Sequence, residues 1–565
     1  MLGGDSLGLI RIYKGDWMKN ASIVGLCNIL EHDLEFQQDI IDKQNDYIEF
    51  DEMYLENFEN KYFSYLIDKY KKYTSWYKLT SFADKLLLYK QNIDEKGLDD
   101  LNNYIDDLKS KLKSNSYVAA YEYINTEKFN PKEKEKILKK IKKGKKQSID
   151  DVKEEIHCQI NICFECIEFL NQIDSKKYIL AKNISYDIIQ LFWQNVSFLG
   201  KSNAKKDSYK EYKDYFIHPV GDYIKEDKSK YKYSCFTCEN KLNKIGGKDL
   251  TWLVKTGVDG SRKPSHFWNM TSDAYICPVC NLLFSCIPAG FTVIKREGLF
   301  INDNSSIERL VRINKVTNLS SETSILDLEQ KKYLTIANTL EQKNIEQFNK
   351  EVENIQVVRL NGNDSSNVYK FNLLSRKKLL LIYNSRKKLS NLIKINVKVA
   401  DNYYINLYSE VISRLYLGKN LFDLIGLLIS LSKQSNNKQS KFSLIWSIYT
   451  ILEINNYSIG GSGKMHSSQL NEFKFNGNTL RKAYLGSSEN KLSGITYRLQ
   501  NALKTKDVEK FMDTLINSYM YKKMPIPQNF ILALENTEKF QNAGYAFLIG
   551  LLGDEESNKG EAKND

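Results

Sequence analysis

Apolar and polar positions alternate through LIRIY (Leu9–Tyr13), which predicts a short strand. Asp16 follows, placed to cap a helix with apolar positions at Trp17, Ala21, Val24 and Leu26. From Tyr54 to Leu88 the period changes. Phe58, Tyr62, Phe63, Leu66, Ile67 and Tyr70 recur at i, i+4, i+5, i+8, i+9 and i+12, the spacing of one helix face. Residues 99–127 and 147–171 predict further helices. Between them lies PKEKEKILKKIKKGKK (131–146), read as a solvated helix and turn, with a contact to a phosphate backbone as the sharper alternative.

Residues 201–232 are polar and tyrosine-rich, and a cysteine-bearing region spans 233–291. Residues 292–400 carry shorter apolar runs rich in Val, Ile and Asn, which predict strands mixed with helices. SRKKL occurs twice there, at 375 and 385, flanking apolar LLIYN. Arg376, Lys377, Lys378, Arg386, Lys387 and Lys388 could face one phosphate backbone, or repeat by chance on a solvated face. Beyond 401 the pattern is helical again, at Leu421–Leu431, Phe442–Leu452, Ile495–Leu503, Asp507–Lys523 and Thr537–Leu552, with a polar Gly- and Ser-rich stretch in the middle. Val508, Phe511, Met512, Leu515, Ile516 and Tyr519 form one stripe. The predicted class is α+β, predominantly helical and multidomain. Its expected parts are a mostly helical domain (1–232), a zinc-stabilised four-cysteine region with a long insert (233–291), a mixed α/β segment (292–400), a C-terminal helical bundle (401–553) and a disordered charged tail (554–565).

The chain has 565 residues, too many for one core. Its net charge of +12 favours an anionic partner, most simply nucleic acid. A lysine-rich composition from an AT-rich genome explains the charge equally well. The first residues lack the pattern of a secretory signal, and no apolar run reaches membrane-spanning length. A soluble, cytoplasmic protein is expected, with no membrane partner. There, paired cysteines point to metal or redox chemistry in preference to disulfides.

Two pairs meet that description, CFTC (235–238) and CPVC (277–280). A Cys-x-x-Cys turn offers two thiolates to one tetrahedral ion, and two such turns complete a zinc site with no open position. Cys235, Cys238, Cys277 and Cys280 are therefore assigned as ligands of a structural Zn2+. The competing reading is buried reduced thiols. The insert between the pairs, with GGKD and TGVDG, is turn-rich and can loop out. Cys286 and His266 are set aside as ligands. His157, Cys158, Cys163 and Cys166 could form a second site, but small buried side chains on a helix explain them better.

Enzyme signatures fail one by one. IGGSGKM (459–465) lacks the spacing of a phosphate-binding loop and puts Met465 where Ser or Thr should hold magnesium. His32–Asp33 is an isolated HD dipeptide in a chain with five histidines. Arg262 and His266 are too close in sequence for a ribonuclease pair, and neither GxSxG nor HExxH occurs. No catalytic activity is expected.

DWMKNASIVG (16–25), IEFDEMYLENFENKYFSYLIDKYKKYTSWY (48–77), CFTC, HFWNMTSDAYICPVCNLLFSCIPAGF (266–291) and YAFLIGLLG (545–553) together resemble the Cst-type large subunit of the type I-B CRISPR Cascade complex, the Cas-eight-b family. The resemblance runs in order along most of the chain. It implies a subunit that caps a complex carrying CRISPR RNA (crRNA), probes duplex DNA for a protospacer-adjacent motif (PAM), helps to open it and recruits a helicase–nuclease in antiviral defence. The implied partners are crRNA, target double-stranded DNA, the other Cascade subunits (backbone, 5'-handle-binding and small) and the trans-acting helicase–nuclease. The C-terminal bundle would then resemble a separate small subunit. Such a role needs a basic surface and aromatics for unstacked bases. Lys255, Arg262 and Lys263, with His266, Phe267 and Trp268, supply candidates on the insert, although both aromatics also suit a core. The alternative is a stand-alone zinc-stabilised nucleic-acid-binding regulator. A metal nuclease would need an open metal site.

Overall fold

The computed structural model describes residues 8–32, 40–127, 129–144, 147–243, 248–254, 256, 275–315, 325–329, 331–332, 355–364, 368–374, 376–400, 403–434, 438–460, 463–485, 488–533 and 536–553. Contacts divide the chain into two compact units. The first runs to Ile325 and takes in Asn354–Leu373; the second holds Leu326–Glu353 and everything from Leu374. The α+β class with a helical majority is observed, and the four-cysteine cluster and a C-terminal bundle are part of it. Among the described residues no helix is long and apolar enough to cross a membrane.

The first unit is built around the Trp17–Leu30 helix. Asp16 caps it, accepting from the Lys19 N–H at 2.8 Å. Nearly every residue from Lys19 to Leu30 is buried, so this helix has no solvent face. Its polar side chains must then find partners inside. The Asn20 amide donates to Asn302 Oδ1 at 2.8 Å and Asn304 Oδ1 at 2.6 Å, and the Asn28 amide donates to the Ala289 carbonyl at 3.1 Å.

Two sheets flank it. One has the order Leu9–Tyr13, Tyr47–Asp51, Asp42–Lys43, with Ile10, Ile12, Ile48 and Phe50 on the buried face. The other has the order Tyr369–Leu374, Ile355–Asn361, Glu297–Asp303, Thr292–Ile294. Its central pair is antiparallel, running from Ile355↔Asp303 to Asn361↔Glu297.

A second apolar core in this unit lies among helices. Glu95–Leu112 buries Leu98, Leu101, Ile105, Leu108 and Leu112, and Lys153–Asn171 buries Ile156, Ile160, Cys163, Cys166, Ile167 and Leu170. Phe82 stacks on Tyr104 at 4.1 Å between centroids. The lysine-rich stretch, expected as a solvated helix and turn, begins as a helix. That helix covers only Pro131–Ile137. After it the chain forms neither helix nor strand up to Gly144, with Leu138 and Ile141 buried and Lys139, Lys140 and Lys142 exposed. Side-chain amides replace the helical ladder: Asn102 both donates to and accepts from the Ile141 backbone, and Gln159 accepts from Lys139 N–H.

The second unit is the bundle. Its helices include Leu407–Tyr416, Phe422–Gln434, Lys438–Ile459, Ser467–Tyr484, Glu489–Thr505, Val508–Tyr521 and Thr537–Leu552. The last is buried without a break from Phe540 to Leu551. Its closest neighbour, Ser467–Tyr484, falls in the stretch read as merely polar and Gly/Ser-rich. Asn, Ser and Gly dilute its stripe, yet Leu470, Phe473, Gly477, Leu480 and Tyr484 keep the helical period and are buried. The two axes approach through glycine. A Cβ on Gly550 would lie 1.9 Å from the Lys474 carbonyl oxygen, and one on Gly477 would lie 2.0 Å from that of Phe547.

That contact yields a paired test. Gly550→Ala should lower stability by about 1–3 kcal/mol, because backbone must move to admit the methyl. Gly494→Ala, on an exposed helical position with nothing within 4 Å of the new carbon, should raise it by about 0.5–1 kcal/mol. Denaturant midpoints of the two variants would show opposite shifts; shifts of the same sign would contradict the packing.

Candidate metal centre

Each cysteine pair sits at the tip of a short antiparallel ladder. Tyr233–Ser234 pairs with Lys241–Leu242, and the turn between them carries Cys235 and Cys238. The turn closes with Glu239 in the left-handed region at φ 63°, its N–H donating to the Cys235 carbonyl at 2.9 Å. Lys248–Asp249 pairs with Tyr275–Ile276, which delivers Cys277. The two turns are joined directly, since Phe236 N–H donates to the Tyr275 carbonyl at 2.8 Å. Cys277 then caps the Pro278–Ser285 helix, with Pro278 in the first turn, where its missing N–H costs nothing.

The four Sγ atoms lie within 4.8 Å of one another, and this is the one group of potential metal ligands found among the described residues. Cys238 Sγ and Cys277 Sγ are 3.6 Å apart. Metal–sulfur bonds of about 2.3 Å in a tetrahedron give edges of about 3.8 Å, so the cluster has the dimensions of such a site. Cys235, Cys277 and Cys280 are buried and Cys238 is partly so. Backbone donors are aimed at sulfur: Cys277 N–H to Cys235 Sγ at 3.2 Å and Cys280 N–H to Cys277 Sγ at 3.4 Å. Hydrogen bonds from Cys238, Cys277 and Cys280 hold Cys235 well below the ordinary thiol range. The thiols of Cys277 and Cys280 stay well above it, first through hydrogen bonding to Cys235 and then through burial. By itself the cluster therefore favours a thiolate sharing protons with its neighbours. A divalent cation would let all four ionise, which makes this a cluster that could hold a metal ion such as zinc.

The cluster is tied to the body of the first unit. The Pro278–Ser285 helix leads straight into the turn Ile287–Gly290, and that turn lies against the central helix. A Cβ on Gly25 would lie 1.9 Å from the Cys286 carbonyl oxygen, and one on Gly290 would lie 1.9 Å from that of Ala21. The turn's carbonyls are claimed by side chains of the Phe58–Tyr70 helix. Tyr62 donates to the Ser285 carbonyl at 3.1 Å, Tyr65 to that of Ala289 at 3.3 Å, and Lys69 and Tyr70 to that of Phe291 at 2.8 and 3.0 Å.

The insert is anchored at its start. Trp252 packs edge-on against Trp193, and Gln194 N–H and Val254 N–H complete a backbone exchange across 192–254. Looping out cannot begin before Val254, a constraint that the turn-rich composition concealed. Lys255, Arg262, Lys263, His266, Phe267 and Trp268 lie outside the described residues.

Arg376 and Arg386 open two successive helices, Arg376–Asn384 and Arg386–Leu392. Lys377 and Lys387 are exposed and Lys378 is half-buried. Arg386 lies 4.2 Å from the Tyr383 ring centroid and donates to the Tyr383 carbonyl at 3.0 Å. Lys388 pairs with Glu453 at 3.5 Å. Arg386 and Lys388 thus serve contacts within the second unit.

Cys163 and Cys166 are buried in the helical core, and burial raises both thiols, Cys166 to about 12. Cys158 is exposed on another face of that helix. Met465 is fixed by reciprocal backbone bonds to the Asn456 amide at 2.8 Å, two residues before the Ser467–Tyr484 helix. Asp68 Oδ2 lies 3.0 Å from His32 Nε2, an exposed pair with no third ligand beside it among the described residues.

Residues 228–292 match the family model of a CRISPR-associated protein (Cas_CXXC_CXXC). The match covers both cysteine pairs and a minority of the chain. It supports a CRISPR-associated protein. No curated protein and no solved structure matches the chain.

Metal analysis of the purified chain should find about one zinc ion per chain. Cys280→Ser should abolish it, and Cys163→Ser should leave it intact. Since Cys277 and Cys280 must lose protons to bind metal, chelators should strip the site faster as the pH falls. Retention of zinc by Cys280→Ser would contradict the assignment.

Proposed function

We propose that this chain is the large subunit of a crRNA-guided type I-B CRISPR surveillance (Cascade) complex, working in the cytoplasm. The observation that carries the proposal is the CRISPR-associated family match over 228–292. A second observation supports it. The segments that resemble the Cst-type large subunit are distant in sequence, yet they meet in space. DWMKNASIVG contributes Gly25, the 48–77 segment contributes Tyr62, Tyr65, Lys69 and Tyr70, and CIPAGF contributes the turn that they hold.

In this role the chain performs no chemistry. Its zinc is structural and seals the turn region. Base pairing with crRNA reads most of the target, and protein reads a short duplex motif and backbone shape, as in another RNA-guided effector. The net charge of +12 serves contact with the phosphate backbones of crRNA and target DNA. The chain recognises the PAM, aids strand opening and recruits the helicase–nuclease, with Lys255, Arg262 and Lys263 of the insert near DNA.

A tagged chain expressed from its native operon should co-purify with uniform repeat-derived RNA and several partner proteins. Recovery of the chain alone, free of RNA, would overturn the proposal in favour of a stand-alone regulator. In the assembled complex, Arg262→Ala with Lys263→Ala should weaken target binding at moderate salt. Unchanged binding would remove the insert from the DNA interface.

A further inference from the structure

The first unit has a cleft of about 830 Å3 away from the cysteine cluster, lined by residues of the Phe58–Tyr70, Ser75–Thr80 and Ile173–Asp187 helices. Its walls include Ser64, Trp76, Tyr77, Thr80, Lys176 and Lys177. The volume is that of a small-ligand or nucleotide site.

Lys176 and Lys177 follow Asp174, the acidic residue in the first turn of the 15-residue Ile173–Asp187 helix. Neither forms an ion pair among the described residues. Instead, Lys176 Nζ lies 5.9 Å from the Trp76 ring centroid, and Lys177 Nζ lies 4.7 Å from that of Tyr209 and 5.3 Å from that of Tyr178. Two lysines therefore bring positive charge to the lining of the cleft. Of the carboxylates on its walls, Asp68 is already engaged by His32 at 3.0 Å and Lys71 at 2.9 Å, which leaves Asp84.

Aromatic surface lies beside this charge. Tyr77 is 37% exposed, enough to meet a ligand face. Asn60 and Asn171 also line the cleft. A bare anion or an acidic peptide would use the lysines alone. Lysine, exposed aromatic and amide together suit a ligand that carries phosphate, a planar ring and hydrogen-bonding edges.

We propose that this cleft seats a nucleotide of a single-stranded nucleic acid, its phosphate at Lys176 and Lys177 and its base against Tyr77. The inference rests on the nucleic-acid reading above and adds a site that the sequence did not single out.

The test uses the zinc-loaded full chain with fluorescein-labelled oligo(U) and oligo(dT) of about twelve nucleotides, read by anisotropy at low and moderate salt. Lys176→Glu with Lys177→Glu should weaken binding about tenfold or more and reduce its salt dependence. Tyr77→Ala should weaken binding at least about fivefold through lost stacking. The charge-matched control Lys419→Glu with Lys482→Glu should leave affinity nearly unchanged. All variants should keep the parental melting temperature and zinc content.

The proposal is overturned if the parent chain binds neither oligonucleotide at low salt, or if the cleft variants bind as the parent does. It is also overturned if the control loses as much affinity as they do, or if oligoglutamate competes as well as unlabelled oligonucleotide. The co-purification experiment answers separately. Recovery of repeat-derived RNA there, with no loss of binding here, removes the cleft and leaves the surveillance-complex reading standing.

Discussion

Each unit depends on one helix with no solvent face, and each such helix is seated by glycines facing backbone. In the first unit Trp17–Leu30 meets the Cys286–Gly290 turn through Gly25 and Gly290. In the second, Thr537–Leu552 meets Ser467–Tyr484 through Gly550 and Gly477. At these points a side chain would occupy the space of a carbonyl oxygen, so the contact fixes both spacing and register. Burial of a whole helix requires that its polar groups be satisfied internally, which is why Asn20 and Asn28 have specific partners at known distances.

The cysteine cluster gains its importance from this seating. Its second turn is continuous with the Pro278–Ser285 helix and then with the turn that holds Gly290. A metal ion at the cluster would fix the start of that path, and four side chains of the Phe58–Tyr70 helix fix its end. The ion would stabilise the unit's centre as well as its surface. The start of the insert belongs to this frame, with the Trp252 ring part of the core and Val254 N–H bonded to the Phe192 carbonyl.

Strong periodicity was legible in the sequence. The strand Leu9–Tyr13, the Asp16 cap and the helices over Phe58–Tyr70, Val508–Tyr521 and Thr537–Leu552 follow from spacing and capping alone. The cysteine pairs were legible because metal chemistry imposes local spacing. Three features were not. Ser467–Tyr484 hid behind Asn, Ser and Gly because its helicity comes from packing on the buried helix and not from a dense apolar stripe. The path of the chain after Ile137 was hidden because lysine-rich sequence reads only as a solvated helix and turn, while Asn102 and Gln159 hold its backbone from a distance in sequence. The lysine–aromatic cleft joins Tyr77 to Lys176 and Lys177, and no local pattern announces a juxtaposition made by tertiary folding.

If the cysteine cluster and the buried helix of the first unit form one cooperative element, loss of the metal must be felt by both. Hydrogen exchange followed before and after chelation of the bound metal tests this most directly. Amides of Trp17–Leu30 and Phe58–Tyr70 should lose protection together with 275–294, while Thr537–Leu552 of the second unit keeps its own. Faster exchange confined to the two cysteine turns, with Trp17–Leu30 still protected, would contradict it.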